Sequence, residues 1–188
     1  MRLNRVADGM TTDREAYARL AGFSEAFRRA SRELPARTDV APTRTVVCFR
    51  LLGCGVAVLL EEVNELLEVP QCTRLPRVKP WVRGVANVRG RLMPIIDFAG
   101  FLGGRLTAPP KRQRVMLVER GDIAAGLIID EVVGMRHVRV DAYDEHREGV
   151  PPPLSPFVPG TFLSEGERWA LLRPDALFGS SDFLDVAA

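Results

Sequence analysis

Hydrophobic and polar positions follow a helical spacing near the start of the chain. Between residues 12 and 34 apolar side chains recur at helical intervals with charges between them, and Tyr17, Leu20 and Phe27 share one stripe. This spacing predicts an amphipathic helix, and the Pro- and Thr-rich residues after it predict a linker. We therefore expect residues 1–42 to be a helical extension and linker. We expect the helix to dock on the body of the chain; the alternative is that it binds a partner.

Downstream of this linker the apolar positions come in short runs separated by Gly and Pro. The runs on either side of Gly53–Gly55 and of Arg120–Asp122 predict two hairpins, and VNELLEV predicts another short strand. The long run Ile123–Val140 predicts one strand that bends or bulges at its glycines, Gly126 and Gly134.

The C-terminal part has weaker patterning. Five prolines between Pro151 and Gly160 predict an irregular loop. The sequence RWALLRP predicts a last strand, and DALFG predicts a short closing helix with Asp175 as its cap. The acidic sequence SDFLDVAA predicts a flexible, frayed tail over residues 181–188.

The stretch from Pro80 to Phe98 contains the tripeptide Val-Arg-Gly twice. Its first part has helical spacing after a proline, which predicts a short helix carrying Gly84. Asn87–Gly90 predicts a turn that fixes Arg89. The strand after it contains Pro94, which predicts an edge strand or a bulge. A fixed arginine beside an apolar edge is typical of a protein-recognition surface.

Many short strands with Gly/Pro turns predict a mainly β protein of small antiparallel units. Two hairpin-rich halves, near residues 45–100 and 112–178, predict two small barrels or one split barrel. Because isolated ribbons are marginally stable, the two units are expected to share a core.

Composition is that of an ordinary globular chain. The 188 residues are 46% apolar and 27% charged, with a net charge of +2, which alone favours neither nucleic acid nor an anionic membrane. No apolar run approaches the ~18 residues of a membrane span, and the start lacks the apolar core of a signal peptide. We expect a cytoplasmic protein. The three cysteines lack metal-ligand spacing and are expected to be small buried hydrophobes.

Candidate catalytic groups lack supporting partners. The two histidines, His137 and His146, have no His or Cys at ligand spacing. Adjacent acids such as Glu61 and Glu62 would point to opposite faces of a strand. The glycine-rich GFLGGRL lacks the Lys-Ser/Thr ending of a phosphate loop and predicts instead a helix end at its glycines. The sequence predicts no enzyme, metal site or cofactor.

Basic residues give the main alternative. Six of them and no acid lie between residues 71 and 96, which is compatible with a small basic barrel that binds single-stranded nucleic acid. Such proteins stack bases on aromatic side chains, and Trp81 is the sole aromatic residue among these positions.

The combined motifs resemble one family. EVNELLEVPQCTRLPRVKPW, then RGVANVRGRLMPIIDF and later GLIIDEVVGM, are similar to the CheW-like scaffold proteins of bacterial chemosensory arrays. The resemblance covers residues 43–180, and PRVKPWVRGVANVRGRLMPI is most like the pilus-type branch, the PilI-like adaptors of twitching motility. It does not extend to the N-terminal extension.

The resemblance implies a fold of two intertwined five-stranded, SH3-like β-barrels. It implies a non-catalytic adaptor that couples the cytoplasmic tips of methyl-accepting chemoreceptors to the regulatory domain of a CheA-like histidine kinase, recruited to membrane-associated arrays. In this family a groove between the barrels takes the receptor, and barrel surfaces contact the kinase.

Five positions match family residues linked to this coupling: Val63, Glu65, Gly84, Arg89 and Met135. We expect Arg89 to pair with Glu65, Gly84 to let a partner approach closely, and Val63 and Met135 to give apolar contact. The alternative is that Gly84 and Arg89 serve the turn alone.

Overall fold

The computed structural model describes residues 41–188, so the predicted N-terminal helix lies outside the described residues. Within this range the strands are β1 (Thr43–Leu51), β2 (Cys54–Leu59), β3 (Glu65–Glu68), β4 (Val82–Val88), β5 (Arg91–Asp97), β6 (Arg114–Arg120), β7 (Ile123–Ile129), β8 (Glu131–Arg139), β9 (Tyr143–Asp144), β10 (Gly160–Ser164) and β11 (Glu167–Leu172). Short helices are α1 (Phe98–Phe101), α2 (Pro174–Phe178) and α3 (Ser181–Leu184), with 3-10 turns at Leu60–Glu62, Val140–Ala142 and Ser155–Phe157.

These strands form two curled sheets. One has the order β8-β1-β2-β11-β10-β9 and the other β3-β6-β7-β5-β4. The predicted pair of small β units is confirmed, with the two-residue β9 as a sixth strand of the first sheet. The sheets do not follow the two sequence halves, because β1 and β2 join the C-terminal strands through a parallel β2–β11 pairing. The units are therefore intertwined.

Buried side chains form one core shared by both sheets and a smaller core inside each curl. The shared core takes Phe49 and Leu51 from the first sheet and Ile96 and Leu127 from the second. The smaller cores centre on Met93, Ile95 and Val115 in the five-stranded sheet, and on Cys48, Phe162 and Trp169 in the six-stranded sheet. The expectation of a shared core is confirmed.

Both predicted hairpins are present. β1 and β2 are joined at Leu52–Gly53, where both residues have positive φ, and β6 and β7 are joined at Gly121–Asp122. Their turn glycines supplied a local signal that tertiary packing does not override.

The long run Ile123–Val140 is not a single strand. It divides at Asp130 into β7 of one sheet and β8 of the other, so the chain crosses between sheets there. The Asp130 N–H donates to the Arg50 carbonyl at 3.2 Å, and its buried carboxylate accepts the N–H groups of Thr107 and Ala108. Asp130 thus ties the crossover to both neighbouring segments.

The two glycines of this run have different roles. Gly134 lies at a bulge where β8 slips by one residue against Cys48 and Phe49 of β1, as predicted. β7 keeps its register with both neighbouring strands through Gly126. A side-chain carbon there would lie 2.7 Å from side-chain carbons of Ile95 and Val115, so the glycine leaves room for these two core side chains.

The prediction of a helix after Pro80 is wrong. Residues Val82–Val88 form strand β4, with Val82, Gly84, Ala86 and Val88 buried and alternate residues more exposed. Apolar residues four apart fit both a helix and a strand of period two, and pairing with β5 decides for the strand.

Pro94 lies in an internal strand, so the edge-strand alternative predicted for it is wrong. The other predicted alternative, a bulge, is close to the observation, because the β4–β5 register shifts between Val82 and Gly84, opposite Ile96 and Ile95. β5 lies between β7 and β4. Opposite Pro94, both backbone groups of Val85 bond to Thr73 instead, and the parallel pairing with β7 starts at Ile95. No ladder bond needs the missing N–H of this proline.

The C-terminal residues pack on the body of the protein, in contrast to the predicted frayed tail. Phe183 is buried, stacked at 6.2 Å on Trp81 and edge-on at 5.2 Å to Phe101. Asp175 lies in the first turn of α2, whose N-cap is Arg173, so its predicted capping role is wrong. Between residues 41 and 188, no helix combines the length and the apolar character needed to span a bilayer.

Candidate functional site

The β4–β5 hairpin ends in a tight two-residue turn. Val88 pairs with Arg91, and Arg89 and Gly90 both have positive φ, 51° and 83°. This is the pattern of a type I′ turn. The Asn87 side-chain oxygen accepts the N–H of Gly90 at 2.8 Å. The predicted turn is confirmed, and it fixes the direction in which Arg89 leaves the backbone.

The five-stranded sheet curls, so the β4–β5 turn lies close to β3 and β6 at the other edge of the sheet. Arg89 donates to Glu65 of β3 at 2.7 Å, as expected, and Arg91 donates to Glu119 of β6 at 2.8 Å. The side chain of Arg89 is 77% exposed and that of Glu65 is 29% exposed. Such a pair contributes about 0–1 kcal/mol to folding, so its main effect is to hold the turn against β3.

An exposed apolar residue flanks this turn and was not predicted. Leu92 of β5 is 73% exposed and lies opposite Asn87 of β4. The sequence predicts an apolar edge strand beside Arg89. The strand is internal, but its exposed Leu92 still gives an apolar surface next to the turn.

Gly84 does not have the expected role of admitting a partner. Its φ is +133°, and a side-chain carbon there would lie 2.8 Å from the carbonyl carbon of Thr73 and closer still to its oxygen. The space beside Gly84 is filled by the same chain. The alternative reading, a structural role, is the one the geometry supports.

A groove separates the two sheets where β3 faces the start of β8. Its volume is about 390 Å³, and it is lined by Leu66, Leu67, Glu68, Arg114 and Val132. Leu66 and Val132 also pack against the shared core, so the floor of the groove is fixed.

The five predicted site residues, all within the described part of the chain, lie outside the lining of this groove. Val63 is half-buried against the shared core, two residues before Glu65 at the start of β3. Met135 lies on β8, a strand at the end of the other sheet, and is 68% exposed. Val133 on the same strand is also exposed and was missed, because the long run around it gave no indication of which side chains face solvent. The structure brings Glu65 and Arg89 into contact, whereas Val63 packs against the shared core and Met135 lies on the other sheet.

Titratable groups elsewhere have structural partners. Burial raises the pKa of the Cys48 thiol to about 11, which keeps it protonated and apolar in character. The exposed His146 donates to Asp144 at 2.5 Å, and this hydrogen bond raises the pKa of the imidazole. His137 contacts Thr45 at 3.0 Å. The described part of the chain contains no group of three or more His, Cys, Asp or Glu residues arranged to hold a metal ion.

The ring of Trp81 packs against other aromatic side chains. Its ring lies edge-on to Phe101 at 5.2 Å and stacks on Phe183. The one aromatic residue of the basic stretch is therefore engaged in the core, which disfavours base stacking on it.

Comparison with known proteins agrees with this architecture. The model of the CheW-like domain family matches residues 45–182. The chain is 43% identical to the protein PilI of Pseudomonas aeruginosa over 168 residues, 89% of this chain and 94% of that protein. It is 31% identical to FrzA of Myxococcus xanthus over 113 residues, 60% of this chain and 67% of that protein.

The fold also matches a solved structure. The scaffolding protein TtCheW of Thermoanaerobacter tengcongensis superposes with a TM-score of 0.61 at 23% identity, covering 70% of this chain and 90% of that one. The family, its pilus-type branch and the fold expected from the motifs are confirmed. The chain belongs to the CheW-like domain family and is a PilI-like member of it.

Proposed function

We propose that this chain is a non-enzymatic chemosensory adaptor. It couples the cytoplasmic tips of methyl-accepting chemoreceptors to the regulatory domain of a CheA-like histidine kinase, in a type IV pilus pathway that controls twitching motility. Family membership, the likeness to PilI and the description of TtCheW as a scaffolding protein support this proposal. The adaptor works from the cytoplasm and is recruited to membrane-associated arrays through these partners.

The receptor-binding surface is the β4–β5 turn together with the rim of the groove. The observation that carries this assignment is Arg89, which is exposed, held in a type I′ turn and paired with Glu65. Leu92 gives it an exposed apolar neighbour. Fixed arginines beside apolar side chains are common energetic centres of protein interfaces, and a preformed turn lowers the entropy that binding must overcome.

Two further residues add apolar contact beside this surface. Val63 lies two residues before Glu65, and Met135 is exposed on β8 of the other sheet. Methionine adapts its shape to a partner at small cost, which suits a surface that meets a helical hairpin. Gly84 acts indirectly, by allowing Thr73 to pack on β4 and so shaping the strand that leads to the turn.

A binding experiment with purified components tests the function. The full chain is immobilised and exposed separately to a receptor cytoplasmic hairpin, to the kinase regulatory domain and to a single-stranded DNA oligonucleotide. The adaptor proposal predicts retention of both proteins, and poor, salt-sensitive retention of the oligonucleotide. Retention of the oligonucleotide without either protein would overturn it in favour of a nucleic-acid-binding barrel.

A further inference from the structure

The basic segment between β3 and β4 runs along β4, which ends the five-stranded sheet. Thr73 and Val85 exchange two backbone hydrogen bonds, at 2.8 and 2.9 Å. This antiparallel bridge places Arg74 beside Gly84. The Cα of Arg74 lies 3.2 Å from the position that a Cβ atom on Gly84 would occupy. Arg83 is the residue before Gly84 on β4, and its side chain is exposed. The backbones of Arg74 and Arg83 are therefore close to each other.

Three arginines of this region differ from most others between residues 41 and 188. Arg74, Arg77 and Arg83 are exposed, and within residues 41–188 none of them forms a salt bridge or donates a side-chain hydrogen bond. By contrast Arg89 and Arg91, a few residues away, are both paired with glutamates. Two exposed apolar residues, Leu75 and Pro76, lie between the first two arginines. We name these five residues the arginine strip.

The C-terminal residues of the chain pair with the backbone of Arg77–Lys79, next to the exposed arginines. The Lys79 N–H donates to the carbonyl of Val186 at 3.0 Å, and the Ala188 N–H donates to the carbonyl of Arg77 at 3.1 Å. The Lys79 ammonium also contacts Asp185 at 3.0 Å. The chain's own last residues, Asp185–Ala188, therefore pair with this segment through backbone hydrogen bonds and one carboxylate, directly beside the arginine strip.

We propose that the arginine strip binds an acidic, extended segment of a partner protein. The guanidinium groups pair with carboxylates in forked geometry, while Leu75 and Pro76 contact apolar side chains between those acids. A protein is favoured over nucleic acid because the one aromatic ring of the region, Trp81, is packed against Phe101 and Phe183. This surface goes beyond the proposed adaptor site, since it excludes the β4–β5 turn and the groove.

The test uses the full chain and two fluorescent peptides of equal length. One peptide alternates Glu with Leu and Ser, and the other carries Gln in place of every Glu. Binding is measured by anisotropy at low and at moderate salt for the natural chain, for Arg74→Gln/Arg77→Gln/Arg83→Gln, and for the matching triple Lys variant. Arg105→Gln is the control, because Arg105 is likewise exposed and likewise has no salt bridge within residues 41–188. A thermal melt checks that every variant is folded.

The proposal predicts that the natural chain prefers the Glu peptide and that the triple Gln variant loses roughly tenfold in affinity, as expected for several exposed ion pairs lost together. The triple Lys variant keeps the charge but loses the forked geometry, so its affinity falls between those of the natural chain and the triple Gln variant, and the Arg105 control is unchanged. Equal binding of both peptides, or an equal loss in the Arg105 control, overturns the proposal. A single-stranded oligonucleotide bound more tightly than the Glu peptide, and lost in the triple Gln variant, overturns it in favour of nucleic acid. If the arginine strip does not bind the Glu peptide, the binding of receptor and kinase to the immobilised chain is unaffected, so the two proposals can be distinguished.

Discussion

Arg89 and Arg91 form a matched pair of arginines on either side of one glycine. Arg89 donates to Glu65 at 2.7 Å and Arg91 to Glu119 at 2.8 Å. The arginine side chains are 77% and 60% exposed, and their glutamates 29% and 28% exposed. Replacing either arginine by alanine therefore removes nearly the same interaction within the protein.

The effect of each substitution on stability is small and similar. An exposed pair of this kind contributes about 0–1 kcal/mol, which corresponds to a Tm change of no more than ~2–4 °C for a domain of this size. The positive φ at Arg89 does not alter this estimate, because alanine meets the same backbone strain as arginine. The two variants should melt within a few degrees of the natural chain.

Their effects on binding should differ. In the proposed interface Arg89 contacts the receptor and Arg91 does not, so Arg89→Ala is expected to weaken receptor binding by at least about tenfold, the loss typical of an interface hot spot. Arg91→Ala should change it by less than about threefold. Titration of a labelled receptor hairpin into each purified variant measures this difference.

Two results would refute this reasoning. Equal losses of receptor affinity in both variants would mean that the turn, and not the Arg89 side chain, forms the contact. Unfolding of Arg89→Ala would make the residue structural. A charge swap, Arg89→Glu with Glu65→Arg, gives a further check, since it restores the internal pair and should restore stability but not receptor binding.

Three further predictions concern the architecture. Gly84→Ala places a side-chain carbon against a backbone carbonyl at positive φ, and should lower the free energy of unfolding by roughly 2–4 kcal/mol in a urea titration; an unchanged midpoint would show that β4 can shift. Phe183→Ala should cost about 3 kcal/mol because the ring is buried, whereas the control Leu184→Ala, at an exposed position, should cost little; equal small losses would mean that the C-terminal residues are loosely attached. The hydrogen bond to Asp144 raises the pKa of His146. This contact therefore stabilises the fold fully below the ordinary histidine pKa of about 6.5, and the stabilisation is lost as pH rises through the raised pKa. An NMR titration should find that Asp144→Asn lowers the pKa of His146, and an unchanged pKa would contradict the contact.

Local signals in the sequence sufficed for the hairpins and for the turn. Glycine at Gly53 and Gly90, and Asn87 before the latter, specify chain reversal through backbone conformations that few other residues adopt. These preferences act within a few residues, so they survive whatever the rest of the chain does.

Features that depend on distant partners were predicted poorly. β4 was predicted as a helix because its valines fit two periodicities, and only its partner strand decides between them. The tail was predicted to fray because the burial of Phe183 depends on Trp81 and Phe101 far upstream. The split of the long run at Asp130 likewise requires knowing that two sheets exist.

The candidate site was predictable only in part. Composition and spacing suggested a fixed Arg89 beside an apolar surface, while its pairing with Glu65 was expected from the family resemblance and is confirmed. The groove was beyond local reasoning, because Leu66 of one sheet and Val132 of the other meet through the intertwined topology. The occupation of the space beside Gly84 by Thr73 was equally hidden, since it arises from an isolated bridge outside the regular strands.

The central claim is that this chain transmits the state of a receptor to a kinase. The most direct measurement is autophosphorylation of the CheA-like kinase, reconstituted with receptor-containing membranes, with and without the full chain. Kinase activity that responds to the receptor only when the chain is present is the predicted result. Two results would contradict the account. One is a kinase that responds equally to the receptor without the chain, and the other is a kinase that does not respond to the receptor even when the chain is present.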